Sequence, residues 1–197
     1  MTQVNSRSEW VELHVFGDGS KKISLTEQEE RELAIHEAGH FVSNQELLQD
    51  RKKIWCITII PTDDHFGANI FLKDKYFLEN KEDHENEIAV LVSGKIASEQ
   101  MGFKARFYEK DLIEAYECAL ECVEKYYPKG LEDKEEQALL LITKGGNIAK
   151  KILKENEDKL ETIAQALLFR KVLLGEEAQA IYDGTLTIEE LEPLELD

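Results

Sequence analysis

An α+β fold, mainly α-helical with a small β-sheet, is predicted by three features of this sequence. Five long stretches carry apolar residues at helical spacing: about 24–48, 85–101, 111–127, 132–155 and 156–174. Only two short runs in the body of the chain, 53–61 and 67–72, are rich in β-branched and aromatic residues. No internal repeat, low-complexity tract or linker separates them. The 197 residues suffice for one domain with a real core, or a compact domain with an appendage.

The elements follow in order. From Glu9 to Phe16 apolar and polar residues alternate, and Gly17-Asp18-Gly19-Ser20 leads into a short run around Ile23, which predicts a hairpin. A helix then starts at Ser24 with Glu27, or at Thr26 with Glu29. Either pair forms a capping box, and the acidic first turn suits the positive end of the helix dipole. Ile54 to Ile60 reads as a buried strand, Pro61-Thr62-Asp63-Asp64 as a turn, and Gly67 to Leu72 as a second strand. The 85–101 helix places Ile88, Ala89, Leu91, Val92 and Ile96 on its apolar side. The 111–127 helix stops before Pro128 and Gly130, and Gly145-Gly146 is expected to break or bend the next one. A helix over 156–174 ends before Gly175, and a short one spans 176–182.

Composition excludes several functions. The chain has 41 carboxylates against 24 Lys and Arg, a formal charge of −17. Nucleic acid and anionic membranes, which need clustered cations, are therefore not expected partners. Three cysteines imply no disulfide framework and suggest a reducing compartment. No apolar run approaches the roughly 20 residues of a membrane helix, and the first thirty residues lack a signal-peptide core. The expected location is cytoplasmic.

The chemistry is carried by His36-Glu37-Ala38-Gly39-His40. Residues four apart on a helix share one face, so the two imidazoles can converge on one ion. Glu37, on the flank of that face, is placed to reach a metal-bound water rather than the metal. Ala38 and Gly39 are small, which lets another segment pack against the metal-bearing turn. A catalytic zinc wants a third protein ligand, and His14, His65, His84 and many carboxylates are candidates. Asp111 opens a helix, so on local grounds it reads better as an N-cap than as a ligand. Cys118 and Cys122 are four apart, yet such cysteines are more often small apolar core residues. His65 and His84 lie in polar stretches and are expected to be solvated.

Beyond HEAGH, the sequence resembles the peptidase domain of the FtsH family of ATP-dependent zinc proteases. Ile57-Thr58-Ile59-Ile60-Pro61 followed by Gly67 resembles that family's strand and edge-strand run. The helix from Ile88 to Glu99 resembles its IAVLLGGRAAEE segment, with Ser93 in place of one glycine. Leu153-Lys154-Glu155-Asn156, Leu167-Leu168 and Gly175-Glu176-Glu177 resemble its C-terminal helices. Coverage runs from about Glu32 to Ile181. The resemblance implies His36, His40 and Asp111 as zinc ligands and Glu37 as the catalytic base. It implies Gly67, Ala68, Asn69, Ile70 and Phe71 as the edge onto which an extended substrate adds. Two departures stand out. The family's glycine-alanine pair before the aspartate is Phe107-Tyr108 here, in a shorter loop, which keeps Glu109 as the alternative ligand. The sequence also contains no G-x-x-x-x-G-K-[ST] phosphate loop.

The expected organisation is an N-terminal extension with a β-hairpin over 1–24, a zinc peptidase domain over 25–182 and an acidic tail over 183–197. The expected function is a soluble zinc endopeptidase that cleaves unfolded or flexible protein segments and is not driven by ATP on its own. The alternatives are a silent peptidase fold that binds partners, or a peptidase subunit of a separate ATPase. The expected cofactor is Zn2+ and the expected partners are polypeptide substrates, with a homo-oligomer or an ATPase partner as further options.

Overall fold

The computed structural model describes residues 24–50, 52–62, 65–71, 78–127 and 133–192. The hairpin expected over 9–23 lies outside them. The described residues form α1 (Glu27–Leu48), β1 (Ile54–Thr58), β2 (Ala68–Phe71), α2 (Lys81–Gln100), α3 (Glu109–Tyr126) and α4 (Lys134–Glu155). These are followed by α5 (Glu157–Arg170), β3 (Val172–Leu174), α6 (Gly175–Tyr182) and a 3-10 turn over Ile188–Glu190. This is the α+β, mainly helical architecture that the periodicity predicts.

Helix α1 is the centre of the molecule. Its start is the Thr26–Glu29 capping box: the Thr26 side chain accepts from the Glu29 backbone, and the Glu29 carboxylate accepts from the Thr26 backbone N–H. From Glu32 to Gln45 every residue is buried. An ordinary surface helix buries one stripe; this one is enclosed on all sides, although it carries His36, Glu37, His40, Ser43 and Asn44. Leu33, Ala34, Ala38, Phe41 and Val42 join Ile57, Leu153, Ile163, Leu167 and Leu173 in the main core.

The sheet has the order β2-β1-β3, antiparallel throughout. Register pairs Ile57 with Asn69 on one side and with Leu173 on the other. Because side chains alternate along a strand, Ile57, Leu173 and Asn69 share the face turned to the core. Cys56, Ile70, Val172 and Leu174 form a small cluster on the opposite face.

Several boundaries differ from expectation. The predicted 156–174 helix ends at Arg170, where Lys171 turns left-handed (φ 68), and Val172–Leu174 form a third strand on β1. Three residues are too few to show a period of two, so only pairing reveals the strand. Helix α2 starts a turn earlier than predicted, at a capping box of Asn80 with Asp83. Gly145-Gly146 does not break α4. A β-carbon on Gly145 would stand 2.8 Å from Ile88 Cγ2, so the glycine serves close packing on α2. His84, expected in solvent, is fully buried on α2: its Nδ1 lies 2.8 Å from the Asn80 carbonyl and its ring meets Tyr126 edge-on. Cys118 and Cys122 are buried free thiols in an apolar cluster with Ile88 and Val123. Residues 183–192 pack on the body, where Leu191 is buried and Arg170 donates to the Glu192 carbonyl.

Candidate metal centre

Helices α1 and α2 cross closely because both are small where they meet. A β-carbon on Gly39 would stand 2.6 Å from Ala97 Cβ and 2.9 Å from the Ser93 carbonyl oxygen. One turn away, a β-carbon on Gly94 would stand 2.5 Å from His40 Nε2 and 2.7 Å from His36 Nε2. The Gly94 position therefore leaves room for both imidazoles.

His36 and His40, one turn apart on α1, bring their Nε2 atoms to 3.0 Å. Asp111 Oδ2 lies 3.0 Å from His36 Nε2 and 3.3 Å from His40 Nε2. Among the described residues these three form the one group of His, Cys, Asp and Glu whose ligand-type atoms converge this tightly. Glu109, the alternative to Asp111, lines the cleft but stands outside that group. Asp111 is not the N-cap of its helix. Helix α3 starts at Glu109 with Tyr108 at the cap position, so Asp111 sits inside the first turn, where the dipole favours a carboxylate.

The loop before α3 is tied to α1 by charge. Arg106 donates from its backbone N–H to Glu32 Oε1 (2.7 Å) and from Nε to Glu32 Oε2 (3.0 Å), and Nη1 reaches Glu29 Oε1 (2.9 Å). Glu29, Glu32 and His36 lie along one side of α1, at i, i+3 and i+7. The same side that holds the histidine thus docks the loop that delivers Asp111. Ala105, next to Arg106, takes a left-handed backbone (φ 52) while buried.

Outer contacts set the ring orientations. His40 Nδ1 lies 2.8 Å from the Val90 carbonyl, so it carries the proton and leaves Nε2 free as a ligand atom. Ser93 donates to the same carbonyl (2.6 Å) and lies 3.1 Å from the Gly39 carbonyl. Ser93 therefore braces the helix crossing.

The electrostatics ask for a cation. Burial works against a charged His40, but the Asp111 carboxylate beside it, helped by Glu37, pushes it up to about 9. Burial would raise Asp111, yet its close contacts with the His36 and His40 rings hold it well below the usual carboxylate range. Glu37 is pushed up by burial, partly offset by the two histidines.

Glu37 faces the start of β2. Asn69 Nδ2 donates to its carboxylate Oε2 (2.8 Å) and to its backbone carbonyl (3.0 Å). A β-carbon on Gly67 would stand 2.7 Å from Glu37 Oε1. Gly67 thus lies just before the strand and against the carboxylate, whereas Ala68, Asn69, Ile70 and Phe71 form β2 itself, at the edge of the sheet. Two connected clefts of about 590 and 360 Å³ flank this point, both bordered by Glu37, His65, Gly67, Lys110 and Asp111. One has an apolar wall of Phe66, Phe107 and Ile113, with the two phenyl rings 5.2 Å apart. The other is more polar and includes the Lys52–Glu87 ion pair (2.6 Å). Sequence reading placed neither Phe66 nor Phe107 in a site. Their signal was an aromatic pair at the ends of two loops that converge only in space.

An HExxH helix, a convergent carboxylate and an edge strand beside a cleft together define a metallopeptidase-type domain. The sequence model of peptidase family M41 matches residues 23–127, a span that holds His36, Glu37, His40 and Asp111. The chain belongs to peptidase family M41, a metallopeptidase family. It is 30% identical to "ATP-dependent zinc metalloprotease FtsH 2" of Thermoanaerobacter sp. (strain X514), over 91% of this chain and 38% of that protein. It is 28% identical to the FtsH protein of Caldicellulosiruptor bescii, over 83% of this chain and 32% of that protein. A third relative, the FtsH protein of Slackia heliotrinireducens, is 25% identical over 94% of this chain and 27% of its own length. The chain spans about a third of the length of the curated relatives it matches. None of its described helices is long and apolar enough to cross a membrane.

Proposed function

We propose that this chain is a zinc-dependent endopeptidase of the HExxH type that cleaves flexible or unfolded polypeptide segments. The observation that carries the proposal is the mutual spacing of His36 Nε2, His40 Nε2 and Asp111 Oδ2, at 3.0, 3.0 and 3.3 Å. Ligand atoms about 2.0–2.1 Å from a tetrahedral zinc stand about 3.3 Å from one another. The residues fit the ion in number, type and spacing, and two histidines with one carboxylate leave a fourth position open. Two buried histidines and a half-buried carboxylate, set this close together, favour a fixed cation.

Zinc, when bound there, makes a water acidic enough to attack at neutral pH and polarises the scissile carbonyl. The chain does the rest. Glu37, buried at the cleft and raised above its ordinary carboxylate range, takes the proton from the attacking water and returns it to the leaving amine. Among the described residues β2 is an outer strand of the sheet, and its outer side offers backbone groups to an extended segment, which only a locally unfolded substrate can present. The wall of Phe66, Phe107 and Ile113 suits an apolar side chain beside the cleaved bond. Since these residues include no phosphate loop, cleavage by this chain alone proceeds without ATP, and a compact substrate resists it.

The test is Glu37→Gln, measured with wild type for zinc content, thermal unfolding and cleavage of casein. The variant keeps one zinc per chain and the fold while losing about 10²–10⁴-fold in rate, the usual contribution of a general base. A zinc-loaded wild type that cleaves no flexible substrate refutes the enzyme, and equal rates for both forms refute Glu37 as the base.

A further inference from the structure

Strand β2 has a residue that its position does not explain. Asn69 pairs with Ile57 and shares the core-facing side of the sheet with Ile57 and Leu173, both fully buried. Strand packing favours a β-branched or aromatic side chain there, and an asparagine forfeits that contact. Its amide is spent on Glu37 instead. Nδ2 donates to two atoms of that residue, the carboxylate Oε2 at 2.8 Å and the backbone carbonyl at 3.0 Å. The orientation of the amide follows from chemistry: the reverse would set Oδ1 against two oxygens.

The two oxygens of Glu37 are therefore unequal. Oε2 is tied to Asn69. Oε1 has no hydrogen-bond partner among the described residues, and Gly67 keeps the space beside it clear, since a β-carbon there would stand 2.7 Å away. We propose that Asn69 is a positioning residue: it holds the Glu37 carboxylate in one orientation by gripping Oε2, so that Oε1 is the oxygen that receives the proton of the attacking water. Gly67, two residues back on the same strand end, leaves that oxygen accessible. The strand end thus prepares the base, with Asn69 on one carboxylate oxygen and Gly67 beside the other. Because Nδ2 also holds the backbone of Glu37, the carboxylate and the helix turn that bears it are fixed by one group. The inference rests on the role given to Glu37 under the proposed function.

Two measurements test it. In the first, zinc content, kcat and KM are compared for wild type, Asn69→Leu and Asn69→Thr. Leucine has the same number of heavy atoms and the same branching at Cγ, is somewhat larger, and has no donor; threonine keeps one donor on a strand-favouring residue. Asn69→Leu retains one zinc per chain and an undiminished unfolding temperature. Its kcat falls about tenfold to a hundredfold while KM changes by less than about twofold, because a misplaced group costs rate rather than binding. Asn69→Thr recovers part of the loss. Loss of zinc in step with activity, or a kcat for Asn69→Leu within about twofold of wild type, overturns the inference.

The second measurement needs no turnover. The side-chain amide of Asn69 is followed by 15N NMR in metal-free and zinc-loaded protein. Both Nδ2 protons exchange slowly and shift when Glu37→Gln removes the charge they face. Fast-exchanging protons that ignore Glu37→Gln overturn the inference. If zinc-loaded wild type cleaves nothing, the enzyme reading fails by itself, and this second measurement still decides whether Asn69 grips Glu37.

Discussion

Gly94 on α2 lies directly against His40 on α1, so close that a β-carbon at that position would stand 2.5 Å from the histidine's Nε2. Real side-chain carbons do not approach so near, and His36 Nε2 would be 2.7 Å away on the same side. The glycine belongs to the metal centre although it offers no ligand atom.

Gly94→Ala is accordingly expected to weaken zinc binding more than about tenfold, the scale on which displaced ligand geometry is felt. The fold should survive, since α2 gains helix propensity of up to about 1 kcal/mol at that position. Competition with a chromophoric chelator measures the first effect and thermal unfolding of the metal-free protein the second. Wild-type zinc affinity in this variant would contradict the geometry.

Asp111 and Glu109 sit two residues apart in the first turn of α3, but only Asp111 reaches the histidines. Asp111→Asn should weaken zinc by more than about a hundredfold, beyond the 10–100-fold typical of losing an outer contact. Glu109→Gln should leave it unchanged. The reverse order would mean that the loop anchored by Arg106 delivers the other carboxylate.

The Arg170–Glu177 pair joins the end of α5 to α6 and is buried at both ends. Arg170 also donates from Nε to the Val172 carbonyl (2.9 Å) and from Nη1 to the Glu192 carbonyl (3.2 Å). Arg170→Met leaves a buried carboxylate behind and should cost about 3–5 kcal/mol in urea unfolding. Adding Glu177→Leu should restore part of that loss. A single variant within about 1 kcal/mol of wild type would show the pair to be dispensable.

Burial alone pushes the Cys56 thiol up to about 12, and burial is also the main cause that pushes Cys118 up to about 12. The folded state therefore favours the protonated thiols. Their contribution to stability is complete below the unfolded thiol's pKa of about 8.5 and is lost as pH rises from there towards 12, at up to about 1.4 kcal/mol per pH unit for each. Disulfide-exchange reagents at pH 8 should label neither residue until the chain unfolds, and the urea midpoint should fall between pH 9 and about 11. Rapid labelling of native protein would refute the burial.

What the sequence determined by itself is local. The capped start of α1, the two histidines one turn apart and the glutamate beside them are set by a helix whose geometry is the same everywhere. The small residues of HEAGH announced a close crossing, which Gly39 makes against Ala97. Taken residue by residue, the rest of the site was not legible. Local pattern made Asp111 a cap, and only family resemblance suggested a ligand; its carboxylate meets His36 across 75 residues of chain. Family resemblance put Asn69 on the substrate edge, and only the tertiary structure sets its amide on Glu37; His84 was expected in solvent, yet α2 buries it against Tyr126. Val172–Leu174 became a strand only because β1 had a free side. The division follows from the forces: helix periodicity and capping act within a few residues, whereas convergence of ligands, strand pairing and burial depend on how separate segments pack. Only the tertiary structure decides that packing.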